Sequence, residues 1–260
     1  SFAKKSLFYE TQVQTQIDRL AELLDKDRFT QVTQRLSESG MRKGFACLFY
    51  GSPGTGKTET VNQLARITGR DVMLVDVTKI KSCWVGESEQ NIKKLFDNYR
   101  SYVKKSEVAP ILLFNEADAI LGIRQEGAER AVDKMENSIQ NIILQEMESL
   151  EGIMIATTNL TSNLDKAFER RFIYKIEFKR PSVEAKQMIW KSMIPSLSDE
   201  TALSLAKGYD LSGGQIENVA RKCTVEYILS GIEPSNAQLK EFCESESMDS
   251  RQPARKKIGF

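Results

Sequence analysis

The chain has 260 residues, 37 of them basic and 36 acidic, for a net charge of +1. So even a balance leaves no overall field to steer the protein onto DNA, RNA or an anionic membrane, and nucleic acid is not an expected partner. Histidine is absent, which removes imidazole acid–base catalysis, His-based triads and most metal-hydrolase sites, so any chemistry must run on carboxylates, amides, lysine and arginine.

Val13, Ile17, Leu20 and Leu24 recur at helical spacing and mark a helix inside an N-terminal helical lead-in, residues 1–44. Phe45 to Tyr50 is a continuous apolar run, read as a buried strand, and it leads straight into Gly51 to Thr58, GSPGTGKT. This is a complete GxxxxGK[ST] phosphate-binding loop. Its candidate contacts are Ser52, Pro53, Gly54, Thr55, Gly56, Lys57 and Thr58. Glycines let the backbone curl so that N–H groups face the phosphates, Lys57 neutralises the β and γ oxygens, and the Thr58 hydroxyl can ligate Mg²⁺. Val61, Leu64 and Ala65 then continue at helical spacing, and that helix adds its positive end to the loop.

Four more short apolar runs follow: Val72 to Val77, Ile111 to Phe114, Ile153 to Thr157 and Tyr174 to Phe178. Separated by helix-length segments, they predict an α/β core over 45–180, a P-loop NTPase three-layer sandwich with a five-stranded parallel sheet. Pro181 closes the pattern. Helical spacing alone follows, first through Ala185, Met188, Ile189 and Met193, then through Ile216, Val219, Ala220, Cys223 and Tyr227. It predicts a small all-α domain over 181–244, with a polar tail at 245–260. Cys47, Cys83, Cys223 and Cys243 are widely spaced without a CxxC pair, so reduced thiols in a cytoplasmic protein are expected. The chain holds no run of 18 apolar residues, and no membrane association is expected.

A nucleotide hydrolase needs acidic chemistry at the end of a second buried strand, and Ile111 to Asp118 reads ILLFNEAD. Glu116 stands where the general base belongs. Asn115 stands where an aspartate is expected. Its amide oxygen can still accept a hydrogen bond from metal-bound water, which makes Thr58 and Asn115 the candidate metal residues. Exchanging a charged for a neutral acceptor costs about 1 kcal/mol, or roughly tenfold in Mg²⁺ organisation.

The order GSPGTGKT, KSCWVGESEQNIKKLF (Lys81 to Phe96), LLFNEADAI and ATTNLTSNLDKAFERRF (Ala156 to Phe172) resembles the classical AAA clade of AAA+ ATPases. It is most similar to the katanin and spastin type of module, in a bacterial-type form with Asn in the acidic motif, and the resemblance runs from Phe45 to Ser230. It implies that the all-α domain over 181–244 is a lid, with ATP and Mg²⁺ as cofactors, a homo-oligomeric ring that is usually a hexamer, and a protein substrate. Position by position, Asn159 matches the sensor that holds the attacking water and the γ-phosphate. Arg170 and Arg171 match arginine fingers that reach a neighbour's nucleotide, and Asp165 holds backbone. Trp84 and Val85 match the loop that grips substrate in the central pore. Gly122 to Arg130 matches a second pore loop, with a plain surface loop as the alternative. In Leu211 to Ile216, LSGGQI, Gly213 and Gly214 match small residues near adenine and ribose, while Ser212 is also a natural helix cap.

The resemblance therefore implies ATP hydrolysis coupled to remodelling or translocation of a protein. An ATP-loaded scaffold or slow switch, weakened by Asn115, is the alternative. A small-molecule phosphotransferase would leave Trp84 and the arginine pair unexplained.

Overall fold

Phe45–Gly51 (β1) is buried at every position but Tyr50, as a strand must be when helices cover both faces of its sheet. In the computed structural model, which describes residues 7–77, 87–123 and 131–248, it pairs with Ile153–Thr158 (β4) on one side and Tyr174–Phe178 (β5) on the other. Ile111–Phe114 (β3) follows β4, and Val72–Val75 (β2) forms the far edge. The order is β2-β3-β4-β1-β5 and every pairing is parallel. The second strand is shorter than the run Val72 to Val77 suggests. It stops at Val75 with the end of its partner Phe114, although Val77 is also buried.

The chain divides into two units, of which the larger comprises Gln12–Ser52 and Lys57–Phe178. Its lead-in holds two helices rather than the single one that the apolar spacing marks: Thr11–Leu23 (α1) and Lys26–Glu38 (α2). Asp25 makes the break by accepting the Asp27 and Arg28 N–H groups, each at 3.2 Å, as a helix cap does. Lys57–Ile67 (α3), Glu87–Lys105 (α4), Asp118–Leu121 (α5), Ala131–Glu148 (α6) and Lys166–Glu169 (α7) complete this unit.

Arg70 fastens the lead-in to the sheet. Its guanidinium donates to the Leu24 carbonyl at 2.9 Å and the Ala109 carbonyl at 2.5 Å, and lies 4.7 Å from the centre of the Phe29 ring. Burial lowers its pKa, with Tyr99 and Asp25 opposing that shift. Arg70→Ala strands two carbonyls and removes charge-assisted bonds, so a loss of about 2–4 kcal/mol is expected in urea unfolding.

The second unit contains Pro53–Gly56 and the residues from Lys179 onward, together with those up to Thr11. Val183–Met193 (α8), Asp199–Gly208 (α9), Gly213–Ser230 (α10) and Asn236–Met248 (α11) pack around Ile189, Trp190, Leu205, Ile216 and Val219, with Phe8 against the same core. Ser182, Ser198 and Ser212 cap three of these helices. The last helix continues to Met248, so residues 245–248, expected as tail, are helical. Lys222 pairs with Glu246 at 2.6 Å and Gln215 donates to the Glu246 carbonyl at 3.0 Å, polar anchors that apolar periodicity does not register.

Cys47, Cys223 and Cys243 are free and buried, and burial pushes the Cys47 and Cys243 thiols up to about 12. Cys83 lies outside the described residues. Among the described residues no helix is long and apolar enough to cross a membrane.

Candidate nucleotide site

Parallel pairing brings the carboxyl ends of β1, β3 and β4 side by side, with Tyr50 opposite Thr158 and Phe114 opposite Ala156. In open α/β sheets, ligands bind beyond that edge. The GSPGTGKT loop leaves β1, the Asn115–Asp118 segment leaves β3, and Asn159 follows β4.

Lys57 is 8% exposed at the start of α3. Its ammonium donates to the Gly51 carbonyl at 2.8 Å, the Ser52 carbonyl at 2.8 Å and Asn159 Oδ1 at 3.0 Å. Burial lowers its pKa, while the carboxylates of Asp118 and Glu116 act in the opposite direction. Only the charged amine attracts phosphate, so nucleotide affinity is expected to fall as pH rises through this lowered value. A plot of log Kd against pH should bend below the ordinary lysine value of about 10.5; a flat profile up to that pH would remove Lys57 from the contact.

Thr58 Oγ1 donates to Asn115 Oδ1 at 2.6 Å, and Thr157 Oγ1 donates to the same oxygen at 2.9 Å. Thr157 Oγ1 in turn accepts the Glu116 N–H at 3.0 Å while its own proton goes to Asn115 Oδ1. Thr58 of the phosphate loop and the asparagine of the acidic motif are thus already joined. Glu116 has φ 53°, in the left-handed region, and its side chain is exposed. A non-glycine residue there carries strain of about 1–3 kcal/mol.

In the sequence Asp118 is no more than the last letter of ILLFNEAD. Its Oδ1 accepts Thr158 Oγ1 at 2.6 Å, the Asn159 N–H at 2.7 Å and the Leu160 N–H at 3.2 Å. An acidic residue two positions beyond Glu116 was the available signal, but its partners are mostly backbone groups.

Arg170 and Arg171 part company. Arg170 caps the end of α7, is exposed, and its guanidinium has no hydrogen bond or ion pair among the described residues. Arg171 donates to the Ala167 carbonyl at 2.8 Å and pairs with Glu148. Asp165 caps α7 by accepting the Ala167 N–H at 2.7 Å, a backbone-holding role.

In the smaller unit, Gly54 meets the start of α10. The Gly214 N–H donates to the Gly54 carbonyl at 2.9 Å, and a Cβ on Gly54, at φ 72°, would stand 2.5 Å from Ser212 Oγ. Gly213 lies alongside, where a Cβ would come within 3.5 Å of the Gly54 carbonyl oxygen. Ser212 and Gln215 form a reciprocal capping box. Trp84 and Val85 lie outside the described residues, as does most of the Gly122 to Arg130 loop. Of that loop, Gly122 bridges to Leu164, and Ile123 is 62% exposed.

Residues 47–180, about half the chain, match the model of the ATPase family associated with various cellular activities (AAA). Relatives include a protein named CdcH from Halobacterium salinarum, 28% identical over 80% of this chain and 28% of its own length. A putative 26S proteasome regulatory subunit homolog from Methanocaldococcus jannaschii is 37% identical over 55% of this chain and 37% of its own. The vesicle-fusing ATPase of Arabidopsis thaliana is 28% identical over 74% of this chain and 28% of its own. The chain thus spans well under half the length of these relatives. With the phosphate loop, the acidic segment and the β4 asparagine at one sheet edge, and the family model covering all but the start of that core, the chain belongs to the AAA family of ATPases, in its classical clade.

Proposed function

We propose that this chain binds ATP with Mg²⁺ and hydrolyses it at sites shared between copies in a ring, hexameric by resemblance, coupling the cycle to remodelling or translocation of a protein substrate. The observation that carries the proposal is the meeting of three motifs in one bonded network. Lys57 reaches Asn159 at 3.0 Å, while Thr58 reaches Asn115 at 2.6 Å, beside Glu116.

Each residue then has a defined task. Backbone groups of residues 52–58 and the Lys57 ammonium hold the phosphates. Among the described residues no cluster of three acidic or thiol side chains could cage a metal. That suits a divalent ion held chiefly by phosphate oxygens and water, with Thr58 as direct ligand and Asn115 orienting its water. Bound Mg²⁺ would neutralise charge on the phosphates. Glu116 takes the proton of the attacking water, Asn159 orients that water, and Arg170 extends outward to a neighbouring copy's phosphate. Gly213 and Gly214 let the backbone approach the nucleoside. Trp84 and Val85 are the proposed grip on the protein substrate.

A second reading, an ATP-loaded scaffold or slow switch, is favoured by one observation. Asn115 Oδ1 already accepts two hydroxyls, and the residue brings no charge to the metal. Asn115→Asp separates the two readings in Mg²⁺-dependent turnover measured on the assembled protein. For a working motor the gain is about tenfold or less, mostly as a lower Mg²⁺ requirement. A rise of more than about a hundredfold from a near-zero baseline would establish the switch.

A further inference from the structure

We infer that Asp118 is a positioning residue for the γ-phosphate sensor, its carboxylate holding the turn at 158–160 so that Asn159 Oδ1 stays within hydrogen-bond reach of Lys57. The inference deepens the ATPase reading above and rests on it for its kinetic consequence.

The need for such a bracket follows from the strand ladder. β4 ends at Thr158, opposite Tyr50, and the next two N–H groups have left the sheet. Backbone donors that leave a ladder must find another acceptor. Both reach Asp118 Oδ1, at 2.7 Å from Asn159 N and 3.2 Å from Leu160 N, the latter N–H being shared with Thr158 Oγ1 at 3.1 Å, and the Thr158 hydroxyl completes the set at 2.6 Å. Three donors converging on one ionised oxygen form charge-assisted bonds, stronger than neutral ones. Asn159 is itself exposed and its side-chain amide meets the site through the 3.0 Å bond from Lys57, so the place of that amide depends on the backbone that Asp118 holds.

The same contacts tie the sensor to the base. Glu116 N–H donates to Thr157 Oγ1 at 3.0 Å and Ala117 N–H to the Thr157 carbonyl at 2.8 Å. Segments 115–118 and 157–160 are therefore zipped together residue by residue, and Glu116 and Asn159 move as one block. A mere helix-start role for Asp118 does not account for this, because its acceptor oxygen is filled by donors from another strand. Its charge also opposes the lowering of the Lys57 pKa by burial.

The test is a double-mutant cycle on the assembled protein with amide hydrogen exchange alongside. Asp118→Ala is expected to speed exchange at Asn159 at least tenfold, with a smaller rise at Leu160, whose N–H keeps Thr158 Oγ1, while core amides of β1 are unchanged. It should lower kcat by about 10–100-fold with KM for ATP within about threefold, and Asp118→Asn, which keeps an acceptor oxygen, should regain most of that loss. If Asp118 acts through Asn159, Asp118→Ala in an Asn159→Ala background costs no more than about twofold further. Unchanged exchange at 159 and 160, or fully additive losses, would overturn the inference. Absence of Mg²⁺-dependent turnover in the assembled wild type would overturn the ATPase reading instead, and the exchange data would still decide whether Asp118 holds the turn.

Discussion

Glu116→Gln is expected to lower ATP turnover by about 10²–10⁴-fold in the assembled protein, the range for losing a positioned general base, while nucleotide affinity stays within about threefold. Glutamine copies the shape of glutamate and cannot take a proton from water. Its backbone is held at φ 53° by the bonds of residues 116 and 117 to Thr157, so the side chain should keep its place. A second variant isolates that backbone. Glu116→Gly relieves the left-handed strain and is expected to raise Tm slightly while abolishing turnover, because only glycine adopts this conformation without cost. Equal turnover in wild type and Glu116→Gln would mean that another group accepts the proton.

The sheet was legible because a parallel strand covered on both faces must be written as an unbroken apolar run, and FACLFY, ILLF and IMIAT are such runs. The phosphate loop was legible for a related reason: its chemistry fixes glycine, lysine and threonine at set spacings. What the sequence left unread depends on contacts between distant positions or on backbone atoms. The break at Asp25 is hidden by apolar residues that keep helical spacing through Leu20 and Leu24. Asp118 binds two N–H groups and one hydroxyl some forty residues away, and an N–H group has no letter of its own. The approach of Gly214 to Gly54 is likewise a bond between two backbones. Arg170 and Arg171 are the same letter twice, and only the phase of α7 and the location of Glu148 tell them apart.

That difference predicts opposite outcomes for the two arginines. Arg170→Ala removes an exposed cation without a described partner, so Tm should not move. If it completes a neighbour's site, kcat should fall by about 10³–10⁵-fold, the contribution of a trans-acting arginine. Arg171 has a side chain 20% exposed and ties Ala167 and Glu148; its alanine variant is expected to lose about 1–3 kcal/mol of stability, with turnover falling in step with the folded fraction. Mixing separates a shared site from a self-contained one. On the proposed shared site, Arg170→Ala and Glu116→Gln copies should each be inactive alone, yet a mixed ring would contain seams where an intact Glu116 faces an intact Arg170, about a quarter of all seams at equal mixing. Turnover should therefore return to roughly that fraction of wild type. Silence of the mixture, with mixed rings verified by mass, would mean that Arg170 does not act across a subunit boundary.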